Sequence, residues 1–309
     1  MKEYTGFAYS YDMFMDNVPY DEWAEYLHGL LIESGVKDGI VCELGCGTGK
    51  MTRKLRDFGY DMIGIDLSQE MLQIAIEQES VPTGKKKSDN TAGKRGRKKE
   101  KESGNESGEI LYLNQDMREF ELYGSVAAVV SVCDSMNYIT EKEDLLQVFK
   151  LVNNYLDPGG TFIFDMNTPY YYRKKLGEQT ICDNRDEGSL IWENYYDAKT
   201  KINEFDITIY IRRNPDKKQA NKNNKKDLSA KCSGVGNSGN ADNIGYADNE
   251  NSYERFEETH YQRAYSISEV KGLLKKAGLT DIKAYEVLTK DEPGKCTERM
   301  YFVAHKLDR

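Results

Sequence analysis

Five pieces of this chain place acidic or glycine residues where apolar runs end. They are Glu43-Leu-Gly-Cys-Gly-Thr-Gly49, Asp66, Asp116, Cys133-Asp134 and Asp165-Met-Asn167. Gly45, Gly47 and Gly49 directly follow an apolar run, and glycine there removes bulk so that backbone N–H groups can approach a ligand. Asp66 lies at the tip of the next apolar run, where a carboxylate can accept hydrogen bonds from both hydroxyls of a ribose. The pair points to a nucleoside-bearing ligand. The spacing is G-x-G-x-G rather than G-x-G-x-x-G, so the dinucleotide fingerprint is incomplete and the nucleoside is not specified.

Such residues need strands to aim them. Trp23, Tyr26, Leu27, Leu30 and Leu31 form one apolar stripe, which predicts a helix over 20–34. The segments 39–45, 62–66, 110–113, 126–132 and 161–165 are short apolar runs and read as strands. Helices are expected between them, at about 48–58, after Ser68 as an N-cap, and after Thr140 and Glu143 as a capping box. Near-continuous apolar strands alternating with helices are the pattern of a doubly wound parallel sheet. In that architecture a ligand sits outside the carboxyl ends of the strands, where all five pieces fall.

The C-terminal part changes character. Residues 189–197 and 201–212 read as a hairpin turning at Ala198-Lys-Thr200, and 253–265 as a further strand. All three alternate aromatic and charged residues, as in an antiparallel sheet with one wet face. Ser266 and Glu269 open another capped helix ended by Gly278, and strands at 282–288 and 300–306 follow. Residues 81–108 and 213–252 contain almost no apolar side chain and read as solvated low-complexity inserts.

The net charge of −9 conceals an asymmetry. Residues 84–101 carry nine Lys/Arg against Asp89 and Glu100, and residues 212–231 carry eight against Asp216 and Asp227. The remaining body is strongly acidic and repels a phosphate backbone, which argues against a dedicated nucleic-acid binder. None of the six cysteines has CxxC spacing, and with three histidines no metal site is expected. Reduced thiols, an N-terminus unlike a signal peptide and no apolar run near 18 residues imply a soluble, cytoplasmic protein without membrane contact.

The motifs Glu43-Leu-Gly-Cys-Gly-Thr-Gly49, Ile65-Asp-Leu-Ser68, Gln115-Asp-Met117 and Leu156-Asp-Pro-Gly-Gly-Thr-Phe162 resemble those of class I S-adenosylmethionine-dependent methyltransferases. Tyr4-Thr-Gly-Phe-Ala-Tyr-Ser-Tyr-Asp12, Cys133-Asp-Ser-Met-Asn-Tyr138 and Phe164-Asp-Met-Asn-Thr168 resemble a bacterial small-molecule branch of that family. The resemblance implies a Rossmann-like, seven-stranded, mostly parallel sheet built from 1–180 and 266–309, with 181–265 as an antiparallel lid insertion. It also implies the roles. Glu43 would orient the methionine ammonium, Gly45, Cys46, Gly47 and Gly49 would line the methionine and ribose, and Asp66 would hold the ribose hydroxyls. Leu67 would lie against the adenine, Asp116 would accept from its amino group, and Met117 would pack beside it. Cys133 and Asp134 would border the reacting methyl, and Tyr11 would reach the cofactor carboxylate.

Methyl transfer needs alignment and desolvation more than a particular catalytic side chain, and a base helps only when the acceptor carries a proton. Asn137 and His260 are the candidates for substrate orientation and proton removal, each with a structural reading beside it. Tyr170-Tyr-Tyr172, Trp192, Tyr195, Tyr196 and Phe205 could wall an acceptor pocket. The expected partner is a small-molecule acceptor methylated at N, O or S. The alternatives are an RNA methyltransferase docking through the basic inserts and a non-catalytic cofactor-binding protein.

Overall fold

The computed structural model describes residues 8–80, 108–213 and 252–308. Apart from their end residues, the two low-complexity inserts lie outside the described residues. Helices α1 (Ala8–Phe14) and α2 (Tyr20–Glu33) precede β1 (Ile40–Leu44), α3 (Lys50–Asp57), β2 (Asp61–Asp66), α4 (Gln69–Glu79) and β3 (Leu111–Asn114). Next come β4 (Val126–Ser131), a 3₁₀ turn (Ser135–Tyr138), α5 (Lys142–Tyr155) and β5 (Leu156–Asn167). A π-helical turn (Tyr171–Leu176) leads to β6 (Thr180–Asn184), β7 (Gly188–Asp197), β8 (Ile202–Arg212) and β9 (Tyr253–Arg263). Helix α6 (Ile267–Lys276), β10 (Thr280–Glu286) and β11 (Arg299–His305) finish the chain.

Seven strands form one sheet in the order β10-β11-β5-β4-β1-β2-β3. Only β11 runs antiparallel to its neighbours, β5 and β10. The central strands β1, β4, β5 and β11 are largely buried because both faces of the sheet are covered there. Cys42, Val129, Phe162, Phe164 and Phe302 point into a core with α5 and α6. Their neighbours Val41, Val130, Ile163 and Val303 point into a second core beneath α2 and α3. The doubly wound, mostly parallel sheet expected from the sequence is therefore what the chain forms.

A second sheet, β6-β7-β8-β9, is antiparallel throughout. The sequence reading finds three of its strands and misses β6, a short edge strand with mostly exposed residues and hence no burial periodicity. Leu190, Phe205, Ile207 and Ile209 on its inner face pack against Phe14 and Tyr11 of α1 and against Tyr138. This sheet and α1 meet over the carboxyl ends of β1 and β4.

Two of the three expected caps form. The Ser68 hydroxyl accepts from Met71 N, and Ser266 with Glu269 closes a reciprocal capping box. The capping box expected at Thr140 and Glu143 does not form. Helix α5 starts one residue later, with Glu141 as N-cap, so Glu143 is out of phase. The Thr140 carbonyl instead accepts from Arg263 at 3.0 Å.

Candidate active site

A cavity of about 570 Å³ opens at the carboxyl ends of β1, β2, β3 and β4. Of the residues expected to hold a cofactor, Tyr11, Glu43, Gly45, Cys46, Gly47, Asp66, Leu67, Asp116, Met117 and Cys133 line it. Gly49 and Asp134 do not.

The glycine turn is strapped to the tip of β2. Gly45 N and Cys46 N both donate to the Ile65 carbonyl, and Gly47 N donates to Asp66 Oδ2 at 2.7 Å. These N–H groups are therefore engaged within the chain, contrary to the expectation that they face a ligand. The glycines act by lacking side chains and by adopting positive φ, 74° at Gly45, 53° at Gly47 and 73° at Gly49. A Cβ at Gly45 would meet Ser135 Oγ at 2.6 Å. At Gly49 a Cβ would run into Tyr112 of β3 and Ala75 of α4, so this glycine serves helix–sheet packing behind the cavity.

Asp66 is fixed by Gly47 N on one oxygen and Ser68 N, at 2.8 Å, on the other, while burial pushes its carboxyl upward. Beside it Leu67 is 61 % exposed, an apolar side chain with nothing packed over it. Asp116 is gripped by its neighbour Arg118, whose Nε lies 3.0 Å from both carboxylate oxygens. Burial opposes ionisation there, yet the Arg118 contacts hold Asp116 below the usual carboxylate range. Arg118 also lines the cavity, and sequence reasoning missed it.

Glu43 is buried at the floor, where Thr52 Oγ1 donates to its Oε2 at 2.5 Å. Burial raises its pKa to about 8, so in this state it holds a proton at neutral pH. Tyr11, Tyr20 and Cys133 crowd the opposite wall. Burial pushes all three far up, with nearby negative groups adding to the effect, so Cys133 is a thiol and no thiolate nucleophile. Tyr20 and Lys50, whose ammonium sits 4.3 Å from the Tyr20 ring centroid, are further cavity residues absent from the sequence-based set.

Cys133 and Asp134 turn sharply after β4, both in the left-handed region at φ 59° and 55°. Two such residues in succession are strained. The fully buried Asp165, at the end of β5, accepts from Cys133 N at 3.2 Å and Asp134 N at 2.7 Å. Arg299 of β11 then bridges the carboxylates, 2.7 Å from Asp165 and 2.6 Å from Asp134. Gln262 of β9 donates to the other Asp134 oxygen at 2.7 Å and accepts from Tyr172 at 2.9 Å. The Asp134 side chain thus faces away from the cavity and joins the turn to the antiparallel sheet. Asp12 of α1 plays a similar part on the far side, accepting from Thr48 and Gln78 at 2.8 Å each.

Asn137 is fully buried and does not line the cavity. Its amide donates to Arg263 O at 2.8 Å and accepts from Asn167 N at 2.9 Å, joining β5, β9 and the 3₁₀ turn. His260 is also fully buried, stacked on Phe205 with centroids 5.0 Å apart. It stands one residue behind the cavity wall, 3.3 Å from the Tyr138 hydroxyl. Of the aromatic cluster, Tyr172 stacks on Tyr196 and Trp192 packs at a tilt against Phe205 inside the antiparallel sheet's packing. Tyr195, 57 % exposed, points to the opposite face, as alternation requires.

The fold and the cavity at the carboxyl ends of its strands define a class I methyltransferase architecture. The chain belongs to the family described as "Methyltransferase domain", whose model matches residues 17–284. It is 28 % identical over 304 residues to YqeM of Bacillus subtilis (strain 168), a protein with a provisional methyltransferase name, covering 98 % of this chain and 97 % of that one. A solved S-adenosylmethionine-dependent methyltransferase from Clostridium acetobutylicum ATCC 824 shares the fold with a TM-score of 0.70. That likeness has 23 % identity and covers 97 % of this chain and 98 % of the other. CalS10, an amino pentose methyltransferase from Micromonospora echinaspora solved with S-adenosylmethionine bound, also shares the fold. Its TM-score is 0.60 at 12 % identity, over 96 % of each chain. Among the described residues no helix is long and apolar enough to cross a membrane, and the five described cysteines are free.

Proposed function

We propose that this protein transfers a methyl group from S-adenosylmethionine to a small-molecule acceptor at N, O or S. The observation that carries the reading is the chemistry of the single cavity described above. It presents a buried carboxylate pushed toward protonation (Glu43), a carboxylate oriented at the tip of β2 (Asp66), and an uncovered apolar side chain (Leu67). A cation, a ribose diol and a flat ring satisfy these three in turn. A zwitterionic nucleoside carries all of them. Gly45, where a Cβ would collide with Ser135, lets the turn pack closely at the cavity floor.

When bound, the cofactor supplies a methyl carbon already activated by its sulfonium. The chain's own residues have to bind, orient and dehydrate. Glu43 gives up its proton to become the counter-ion of the ammonium, and Asp66 receives the ribose hydroxyls. Met117 and Leu67 enclose the adenine, with Asp116 as acceptor for its amino group. Tyr11, Tyr20 and Cys133 wall the methyl, and the antiparallel sheet over α1 keeps water out. Good alignment of donor and acceptor is worth up to ~7–11 kcal/mol of the barrier.

Calorimetric titration with S-adenosylmethionine, S-adenosylhomocysteine and NAD tests the reading, with Asp66→Ala as control. Binding of the first two, weakened at least tenfold in the variant and absent for NAD, is expected. Binding of NAD alone would redirect the search to hydride transfer. Cofactor binding without turnover on a metabolite extract would mark a non-catalytic binding protein.

A further inference from the structure

We infer that Tyr138, His260 and Glu258 form a proton relay, so that the acceptor is an amine or hydroxyl whose nucleophilic atom sheds a proton on methylation. The inference rests on the methyltransferase reading and narrows its substrate class.

Strand β9 alternates, and its pairing sets Glu258 opposite Ile207 and His260 opposite Phe205, both on the inner face. The His260 side chain is 0 % exposed and that of Glu258 7 %. Neighbouring positions on this face hold Trp192, Phe205 and Ile207, and an apolar residue would be cheaper to bury there than an ionisable pair. Glu258 Oε2 lies 3.2 Å from His260 Nε2, and Tyr138 Oη lies 3.3 Å from Nδ1. The relay sets the Nε2–H tautomer toward the Glu258 carboxylate, with Nδ1 accepting from the Tyr138 hydroxyl. Tyr138 itself lines the cofactor cavity while packing against the antiparallel sheet. It stands where cavity and acceptor side meet.

The other ionisable groups on the cavity wall have different tasks. Tyr11, Tyr20 and Cys133 keep their protons, for the reasons given above. Asp134, which lies off the cavity wall, is held by Arg299 and Gln262. In the step itself the acceptor atom attacks the methyl carbon. The new bond to carbon forms as the S–C bond breaks and its electron pair stays on sulfur, leaving a neutral thioether. The acceptor's proton passes to Tyr138 Oη, whose own proton passes to His260 Nδ1. The resulting imidazolium is stabilised by Glu258 and by the stacked Phe205 face. Tyr138 is the group that touches the acceptor, and His260 and Glu258 act through it.

Two measurements on the full chain test the relay. ¹⁵N spectra of histidine-labelled protein need no acceptor. They are expected to show His260 as the Nε2–H tautomer, with an Nδ1 shift that moves in Tyr138→Phe. An Nδ1–H tautomer overturns the relay. In turnover assays with primary-amine and alcohol acceptors, read as S-adenosylhomocysteine formed, Tyr138→Phe and His260→Gln should lower kcat by about 10²–10⁴-fold with KM little changed. Calorimetry should find S-adenosylmethionine affinity within about twofold of wild type in both. Unchanged kcat in Tyr138→Phe overturns the relay while leaving the methyltransferase reading intact. Failure of the wild-type chain to bind S-adenosylmethionine or to methylate any such acceptor overturns both.

Discussion

In the proposed function, Glu43 would couple ligand charge to pH through one buried carboxylate. Burial raises its folded-state pKa from 4.5 to about 8. A raised folded value means that the cost of ionising the buried group appears as pH climbs past 4.5 and is complete above about 8. Thermal denaturation should therefore show the wild-type chain losing stability relative to Glu43→Gln across that window. Binding a cationic ammonium favours the ionised form, so association below pH 8 releases a proton from Glu43. Calorimetry at pH 6.5 in buffers of different ionisation heat should detect close to one proton released, and none from Glu43→Gln. That variant should bind S-adenosylmethionine ten- to a hundredfold more weakly, the equivalent of about 1.5–3 kcal/mol for a charged hydrogen bond.

At the scale of elements, the turn after β4 is held in shape by its neighbours rather than by its own residues. Left-handed backbone at Cys133 and Asp134 costs about 1–3 kcal/mol each, offset by the Asp165 carboxylate and Arg299. Asp165→Asn weakens both hydrogen bonds and leaves Arg299 short of a counter-charge. A loss of about 3 kcal/mol in urea denaturation is expected, by analogy with broken buried pairs. Adding Cys133→Gly should restore roughly 1 kcal/mol by relieving the left-handed strain. Helix starts offer a second comparison. Ser266→Ala removes a closed capping box and should cost about 1 kcal/mol, whereas Thr140→Ala removes a cap that never forms and should cost almost nothing.

For the whole molecule, the seven-stranded sheet sorts function to one edge. Helix α4 ends at Glu79 and β3 begins at Leu111, so these two described ends both lie at the amino edge of the sheet, opposite the cavity. The connection from β8 to β9 leaves at the Arg212–Tyr253 end, far along β9 from His260 and Gln262. Deleting 82–107 and 214–251, whose described flanking residues lie away from the cavity, should leave S-adenosylmethionine affinity within about twofold. Turnover on the protein's true acceptor should survive as well. Loss of turnover with cofactor binding intact would instead support docking of a nucleic-acid substrate through the basic inserts.

The parallel sheet, the glycine turn and the carboxylates at strand ends were legible because each depends on local pattern. Apolar strands, positive-φ glycines and helix periodicity are dictated by residues a few places apart. Asp66 could be read in the same way from a single strand tip, whereas Leu67 entered only through the family resemblance. What the sequence alone did not determine is which partner each polar side chain takes. Asp134 looks like a cavity residue until Arg299, far along the chain, draws it away. Asn137 and His260 each carried a structural reading beside a functional one, and the packing of β9 shows one as a cross-brace and the other behind Tyr138. The engagement of Gly45 and Cys46 N–H groups by Ile65 is likewise invisible before β1 and β2 are set side by side. Local pattern specifies elements through short-range sterics and burial, but hydrogen-bond partners and charge pairs are settled by chain segments that meet only in the folded molecule.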